Sequence, residues 1–235
     1  MEKKKYELCL EVLRRMKEHG ILDKIMLVGS WCVFLYDDYF KGESLLPALR
    51  TRDIEFLFPV PFEFRSKTDL YGLLKDLGFV MDYKGNQGYI VFEHPDLILE
   101  FLAPARGRES EKPISIEPLG INAQPLRFMD ALSRNPIQIF FDDVAVTLPH
   151  PADFALNKLL VAGRRKIPGK AEKDRAQAVA LLGALNANGE FEMVRTAYAS
   201  MPRGWKNTIW QELIVLDETL LAKLIDGSRP VGRKE

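Results

Sequence analysis

The chain has 235 residues, which is enough for one large domain or two small ones. Hydrophobic residues make up 47% and charged residues 28%, an ordinary balance for a globular protein. Lysine plus arginine number 33 and aspartate plus glutamate also number 33, so the zero net charge gives no general sign of a nucleic-acid-binding protein.

The N-terminal segment and the cysteines predict a cytoplasmic location. Met1 is followed by a charged amphipathic segment and not by the apolar core of a signal peptide. No apolar run has the length of a membrane span, so no membrane interaction is expected. The two cysteines, Cys9 and Cys32, lie in apolar surroundings, which is typical of buried thiols in a reducing compartment rather than of a disulfide framework or a zinc site.

The first predicted elements are a helix, a strand and a second helix. The first helix is expected over residues 5–19, where apolar residues recur at helical spacing and Gly20 follows as a stop signal. The apolar strand 25–28 ends at Gly29 and Ser30, and Ser30 is expected to be the N-cap of the next helix. Backbone N–H groups and the helix dipole make such a turn a candidate phosphate site, although the pair by itself fits a plain strand-to-helix turn better.

The next predicted strand follows a loop at residues 41–49 and carries two carboxylates. Asp53 and Glu55 are two residues apart in an apolar run, so a strand points both to one face and points Ile54 to the core. Side by side, the two carboxylates repel each other, and a hard divalent cation such as Mg²⁺ would remove that repulsion. The alternative is a solvated acidic face at the end of a strand.

The middle of the chain is predicted to form one helix and then mainly strands. The helix is expected over 68–77, and the strands over 79–83, 87–93, 97–102, 137–141 and 144–148. Residues 84–86 and the pair Asp142 and Asp143 are predicted to be hairpin turns. Adjacent residues cannot share a strand face, so these two aspartates are interpreted as turn residues and not as metal ligands.

A single carboxylate interrupts the predicted strand 97–102. Glu100 lies inside an otherwise apolar run, where an ionised side chain is costly unless it has a partner. The partner could be an arginine, or Glu100 could supply a third oxygen ligand beside Asp53 and Glu55. Glu93 is less suited to that role, because it sits at a strand end where water reaches it.

From Pro149 onward the pattern is helical, which predicts two domains, residues 1–149 and residues 150–235. Helices are expected over 153–162, 170–185, 191–201 and 205–225. Seven basic residues lie between Lys158 and Arg175, opposed only by Glu172 and Asp174. This local excess indicates either a solvated helix face or a surface that binds phosphate.

The turn and the acidic residues occur in an order that resembles the nucleotidyltransferase fold of the polymerase-beta superfamily. That superfamily places a Gly-Ser turn at the start of a helix, an Asp-x-Asp or Asp-x-Glu pair on the next strand, and a third acidic residue on a later strand. The matching residues here are Gly29, Ser30, Asp53, Glu55 and Glu100. The resemblance predicts an α+β fold, in which a mixed sheet flanked by helices is followed by a helical C-terminal domain.

Two further segments resemble particular bacterial members of this superfamily. The lead-in 50–53, Arg-Thr-Arg-Asp, is similar to that of bacterial stand-alone enzymes. The pairs Lys158-Leu159 and Lys173-Asp174 resemble paired motifs on two helices of abortive-infection, toxin-type nucleotidyltransferases. Altogether the resemblance covers roughly residues 20–185.

The resemblance implies a magnesium-dependent enzyme that transfers a nucleoside monophosphate from a nucleoside triphosphate. In this interpretation Asp53, Glu55 and Glu100 hold Mg²⁺ or Mn²⁺, and Glu100 also helps to deprotonate an acceptor hydroxyl. Nucleotide binding is assigned to the following residues: Gly29, Ser30, Arg52, Lys158, Lys173 and Asp174. The implied acceptor is RNA such as tRNA, a protein, or a small molecule such as an antibiotic, and a toxin-type enzyme would have an antitoxin partner.

Two departures from the superfamily pattern support an alternative. The second acidic position is Glu55 and not aspartate, and the loop before Asp53 is longer than in compact members. Both features are compatible with a non-catalytic nucleotidyltransferase-like fold that binds a nucleotide, a nucleic acid or a protein. Metal binding is the property that separates the two interpretations.

Overall fold

The structure is a computed structural model that describes residues 3–41, 51–61, 63–64, 67–105 and 111–224. The chain divides into two compact units, Met1–His150 and Pro151–Glu235. Strands and helices build the first unit, whereas the described residues of the second unit form helices connected by short turns. The lead-in residue Arg50 and most of the loop before it lie outside the described residues.

The first unit contains nine strands and four α-helices within its described residues. The strands are β1 Met26–Val28, β2 Asp53–Leu57, β3 Val80–Lys84, β4 Tyr89–Glu93, β5 Ile98–Pro104, β6 Ile114–Ile116, β7 Ile121–Leu126, β8 Pro136–Phe141 and β9 Val144–Pro149. The helices are α1 Lys3–Glu18, α2 Ser30–Tyr39, α3 Leu70–Leu74 and α4 Met129–Leu132. Short 3₁₀ helices cover Leu22–Lys24, Lys75–Leu77 and Glu117–Leu119.

The main sheet has the strand order β1-β2-β5-β4-β3. The central strands β2 and β5 run parallel, and the pairs β1–β2, β4–β5 and β3–β4 are antiparallel, so the predicted mixed sheet is confirmed. Strand β7 runs parallel to the C-terminal part of β5 and pairs with β6 on its other side. The parallel pairing of β2 with β5 brings together residues that are far apart in the chain, such as Asp53 and Ile98.

Strand β2 shows the alternation that its sequence predicts. Asp53 is exposed and Glu55 is half-buried, whereas Ile54 and Phe56 are fully buried. On the buried face the aromatic rings of Phe92 and Phe101 pack edge to face, with their centroids 5.1 Å apart. This apolar packing anchors the central strands and holds the acidic residues on the opposite face.

Two other predictions for the first unit are confirmed. Strands β8 and β9 form a separate hairpin, with Asp142 and Asp143 in its turn and Asp142 in the left-handed conformation at φ 57°. Both Cys9 and Cys32 are buried, and neither forms a disulfide. Burial raises the pKa of the Cys9 thiol well above its ordinary value, so Cys9 is an unreactive core residue.

The second unit contains five helices within its described residues. They are α5 Pro151–Ala162, α6 Pro168–Ala187, α7 Phe191–Ala199, α8 Arg203–Leu216 and α9 Glu218–Leu224. The prediction of one helix over 205–225 is wrong, because Asp217 has an extended backbone and separates α8 from α9. Its carboxylate accepts hydrogen bonds from the backbone N–H groups of Thr219 and Leu220, at 2.9 and 3.0 Å, and so caps α9. None of the described helices combines the length and the apolar character needed to cross a bilayer.

Candidate active site

The register of the two central strands places the predicted acidic residues together. In the parallel pairing of β2 with β5, Glu55 and Glu100 are direct partners, and Asp53 lies two residues before Glu55. Paired residues of neighbouring strands point to the same face of a sheet. The three carboxylates therefore lie on one face, which we call the acidic face: Asp53 is exposed, Glu55 is half-buried, and the Glu100 side chain is 14% exposed.

Gly29 lies directly against this acidic face. Strand β1 pairs antiparallel with β2 so that Val28 is opposite Glu55, and Gly29 follows Val28. The backbone of Gly29 has φ 75° and ψ −156°, a conformation that is essentially restricted to glycine. A Cβ atom at this position would lie 1.6 Å from Oε2 of Glu55, so the carboxylate occupies the space that any side chain would need.

The turn differs from the prediction in one respect. Gly29, and not Ser30, is the N-cap residue of α2, and Ser30 is the first helical residue. The backbone N–H of Cys32 already donates to the carbonyl of Gly29 at 3.2 Å, so helical hydrogen bonding begins at the glycine. The positive end of the α2 dipole therefore lies beside Glu55, where it stabilises negative charge.

The acidic face also carries a lysine that the sequence pattern did not indicate. Lys84 was predicted to belong to a turn, but it is the last residue of β3, and the turn is formed after it by residues that include Gly85 and Gly88 at φ 70°. Val91 is paired with Glu100 on one side and with Asp82 on the other. Lys84, two residues beyond Asp82, therefore points to the acidic face. The direction in which Lys84 points is shown only by the exact register of the hairpin. That register depends on where the chain turns.

The ammonium group of Lys84 donates a hydrogen bond to Oε1 of Glu100. Glu100 therefore does have a cationic partner, but it is a lysine and not the arginine that the sequence alternative suggested. Partial burial lowers the pKa of Lys84, but the hydrogen bond to Glu100 and the negative charges of all three carboxylates raise it. The net pKa is above the ordinary value, so Lys84 carries a positive charge at neutral pH and is electrostatically coupled to the whole acidic face.

The donor set on the acidic face fits a hard divalent cation. Carboxylate oxygens are the ligands that Mg²⁺ prefers, and the ammonium of Lys84 shows that this face already attracts positive charge. Within the described ranges, however, no group of three or more His, Cys, Asp or Glu side chains converges as a ready-made metal site. Each carboxylate has its own contact: Asp53 accepts a hydrogen bond from Thr51 at 3.3 Å, Glu55 lies against Gly29, and Glu100 binds Lys84. Side-chain rotation is therefore needed before all three can share one ion.

Arg52, which was predicted to bind nucleotide, contacts the protein backbone instead. Its guanidinium group donates to the carbonyl of Pro95 at 2.8 Å, and its own carbonyl accepts a hydrogen bond from Ile98 at 2.9 Å. These contacts fix the start of β2 next to the start of β5. The structure thus shows a positioning contact for Arg52, and its role in nucleotide binding stays a prediction.

The helical unit brings together two of its predicted site residues. Lys158 on α5 donates to Asp174 on α6 at 2.7 Å, and Arg165 donates to the other oxygen of the same carboxylate at 2.9 Å. Asp174 is 3% exposed, so this ion pair is largely shielded from water. Lys173, the preceding residue, is exposed. Lys158 and Asp174 therefore join two helices within this unit.

Replacing Asp174 with alanine is expected to lower the free energy of unfolding by about 3 kcal/mol, because it leaves Lys158 largely buried without this partner. Urea denaturation measures this loss. As a matched control, Glu192→Ala removes a carboxylate from an exposed pair with Arg195 on α7 and should cost less than about 1 kcal/mol. Equal losses for the two variants would contradict the structural role of Asp174.

A mixed sheet with an acidic face beside a strand–glycine–helix turn is the arrangement expected for a nucleotidyltransferase. A profile of the family described as Nucleotidyltransferase matches residues 7–202, which is most of the chain and includes every predicted site residue. The protein belongs to this nucleotidyltransferase family, and its fold is α+β, with a helical C-terminal part. Among curated proteins, no sequence matches this chain.

Solved structures with a similar fold include the antibiotic-resistance factor ANT(2'')-Ia, which is 17% identical in sequence. The match covers 85% of this chain and 96% of the chain of that factor, with a TM-score of 0.48. The same factor in complex with adenylyl-2''-tobramycin is 16% identical, with 83% and 99% covered and a TM-score of 0.48. An antigenic nucleotidyltransferase-like protein from Paracoccidioides brasiliensis is 13% identical, with 93% and 92% covered and a TM-score of 0.46. These similarities are too low to carry an argument about substrate.

Proposed function

We propose that this protein transfers a nucleoside monophosphate from a nucleoside triphosphate to an acceptor hydroxyl, and that the reaction takes place on the acidic face and depends on Mg²⁺ or Mn²⁺. The register that pairs Glu55 with Glu100 carries this proposal. It explains why two carboxylates that are far apart in the sequence lie side by side, next to a turn that begins a helix.

In this proposal Asp53, Glu55 and Glu100 hold the divalent metal. A bound divalent cation would offset the negative charge of the triphosphate and of the pyrophosphate that leaves. The carboxylates differ in their exposure to water, which favours different roles for them. Asp53 is exposed and is therefore proposed to face the nucleotide, whereas the less exposed Glu100 is in contact with Lys84 and is partly shielded from water.

The turn at Gly29 and the N-terminus of α2 provide the phosphate-binding element. Gly29 lets the chain turn sharply without a side chain. A phosphate group could therefore approach the backbone closely once the Glu55 carboxylate, which lies against Gly29, rotates towards a bound metal. The partial positive charge at the N-terminus of α2 attracts the phosphate oxygens, and the Ser30 hydroxyl adds a hydrogen-bonding group at the first helical residue. Binding at this turn would direct the α-phosphate towards the acidic face.

Glu100 is proposed to accept the proton of the acceptor hydroxyl. As that proton passes to the carboxylate, the acceptor oxygen forms a bond to the α-phosphorus. The bond from the α-phosphorus to the bridging oxygen breaks, and pyrophosphate leaves with the electron pair. The products are a nucleotidylated acceptor and pyrophosphate.

Of the remaining residues predicted to bind nucleotide, the proposal keeps that role for Lys173. Lys173 is exposed, which is compatible with contact to a phosphate group. Arg52, Lys158 and Asp174 already have protein partners, so their simplest contribution is to hold neighbouring elements in place. A toxin-type role with an antitoxin partner rests on sequence resemblance in the helical unit and is not required for the transfer reaction.

The function is tested by incubating the protein with each α-labelled nucleoside triphosphate, Mg²⁺ or Mn²⁺, and a panel of acceptors. The panel includes tRNA, total RNA, an aminoglycoside such as tobramycin, and the protein itself. We expect one acceptor to become labelled while pyrophosphate is released in equal amount, and Asp53→Asn to form both products at least about a hundredfold more slowly. Absence of label and of pyrophosphate with every acceptor would count against the transferase proposal.

A non-catalytic binding role is the second candidate function. The contact between Lys84 and Glu100 favours it, because a lysine that neutralises one of the three carboxylates makes the face less acidic. In that case nucleotide would bind without divalent metal and without turnover. Nucleotide titration with and without Mg²⁺ therefore separates the two functions.

A further inference from the structure

Lys84 and Glu100 form an ion pair with very unequal exposure. The Lys84 side chain is 59% exposed, whereas that of Glu100 is 14% exposed. Lys84 ends β3, the edge strand of the main sheet, and is followed by a glycine-containing turn. A long and mostly exposed side chain at such a position can rotate into solvent at little cost, while Glu100 is held within a central strand.

The charge of Lys84 acts on more than its hydrogen-bonded partner. The negative charges of Asp53 and Glu55 also favour its ammonium form. Lys84 thus contacts Glu100 directly and interacts electrostatically with the other two carboxylates that the proposed function assigns to a divalent metal. Two cations that use the same oxygen of Glu100 exclude each other, because their charges repel and the oxygen has room for one close partner.

We propose that Lys84 is an internal competitor for the metal site: its ammonium neutralises Glu100 and must leave that carboxylate before a divalent cation is held by all three acidic residues. This inference rests on the proposed function, because it requires a metal on the acidic face. It assigns to Lys84 a role in setting the metal affinity of the protein. It also accounts for the stability of a face on which three carboxylates would otherwise repel one another.

The test is a titration with Mn²⁺ alone, followed by electron paramagnetic resonance of the free ion and by thermal melts. Lys84→Met keeps the aliphatic stem and removes the charge, and Lys84→Gln is a second neutral variant should the first not fold. Both are expected to bind Mn²⁺ roughly tenfold more tightly than the wild type, a change of about 1.4 kcal/mol. Without metal, both should melt at a lower temperature than the wild type, because the carboxylates lose their neutralising partner.

Two control variants complete the experiment. Lys84→Arg keeps the positive charge and should bind Mn²⁺ about as weakly as the wild type. Lys24→Met removes the same charge from an exposed residue of a 3₁₀ helix and should leave Mn²⁺ affinity unchanged. If the two neutral Lys84 variants bind Mn²⁺ no more tightly than Lys24→Met does, competition between Lys84 and the metal is disproved. The proposed metal site is not contradicted by that result. If the wild type and both neutral variants all fail to bind Mn²⁺, the inference and the proposed metal dependence fail together.

Discussion

Replacing Asp53 with asparagine is expected to reduce nucleotidyl transfer by at least about a hundredfold, because Asp53 helps to hold the metal that would stabilise the developing negative charge, and loss of such stabilisation has an effect of this size. The substitution keeps the shape of the side chain and allows the hydrogen bond from Thr51 to persist. It removes one of the three negative charges that are proposed to hold the metal. The variant should therefore be as stable as the wild type without divalent metal, or more stable.

Thermal melts with and without metal provide the second measurement for Asp53→Asn. At a metal concentration about 100 times Kd, the wild type should gain about 2.7 kcal/mol of stability, and the variant should gain little. Asp82→Asn is the matched control, because Asp82 is an exposed carboxylate that the register places on the same face but outside the proposed ligand set. Equal metal-dependent stabilisation of wild type and Asp53→Asn, or none in either, would argue against the metal site.

Replacing Gly29 with alanine is expected to abolish transfer and to destabilise the protein by about 2 kcal/mol, since alanine would adopt a backbone conformation that is essentially restricted to glycine. The new Cβ would also lie 1.6 Å from Oε2 of Glu55. The end of the Glu55 side chain can rotate away, but the added methyl group then restricts where its carboxylate can lie. Weaker Mn²⁺ binding and loss of activity should therefore accompany the change in stability.

Gly120→Ala separates backbone strain from displacement of Glu55. Gly120 also has a positive φ, 66°, but a Cβ there would have no neighbour within 4 Å. This variant should lose about 1 kcal/mol of stability, measured by urea denaturation, and keep both Mn²⁺ affinity and transfer activity. If Gly29→Ala behaved in the same way, the contact between Gly29 and Glu55 would have no functional importance.

Much of the site could be predicted from the sequence because its signals are local. The alternation of β2 assigns Asp53 and Glu55 to one face and Ile54 to the core within a single segment, and the structure confirms these positions. A glycine between an apolar strand and an apolar helix likewise indicates a turn without any knowledge of distant residues. The order of these motifs was sufficient to predict the nucleotidyltransferase family, which the family profile confirms.

Other features could not be predicted because they depend on contacts between distant segments or on exact boundaries. The turn after β3 begins one residue later than its composition suggested, and this places Lys84 on the acidic face. The ion pair between Lys158 and Asp174 depends on how two helices pack. At Asp217 the apolar periodicity continues on both sides, so the pattern did not show that a capping carboxylate ends one helix and starts the next.

By itself, the sequence determined which side chains could form an active site, since periodicity sets the face of each strand and glycine marks the sharp turn. Only the tertiary structure decided which of them meet. Hydrogen bonding between the backbones of β2 and β5 made Glu55 and Glu100 neighbours, and the registers of β4 with β5 and of β3 with β4 brought Lys84 to the same carboxylate. Strand pairing is selected by the free energy of the whole core, which no single segment encodes, so the partner of Glu100 could not be known until the sheet was assembled.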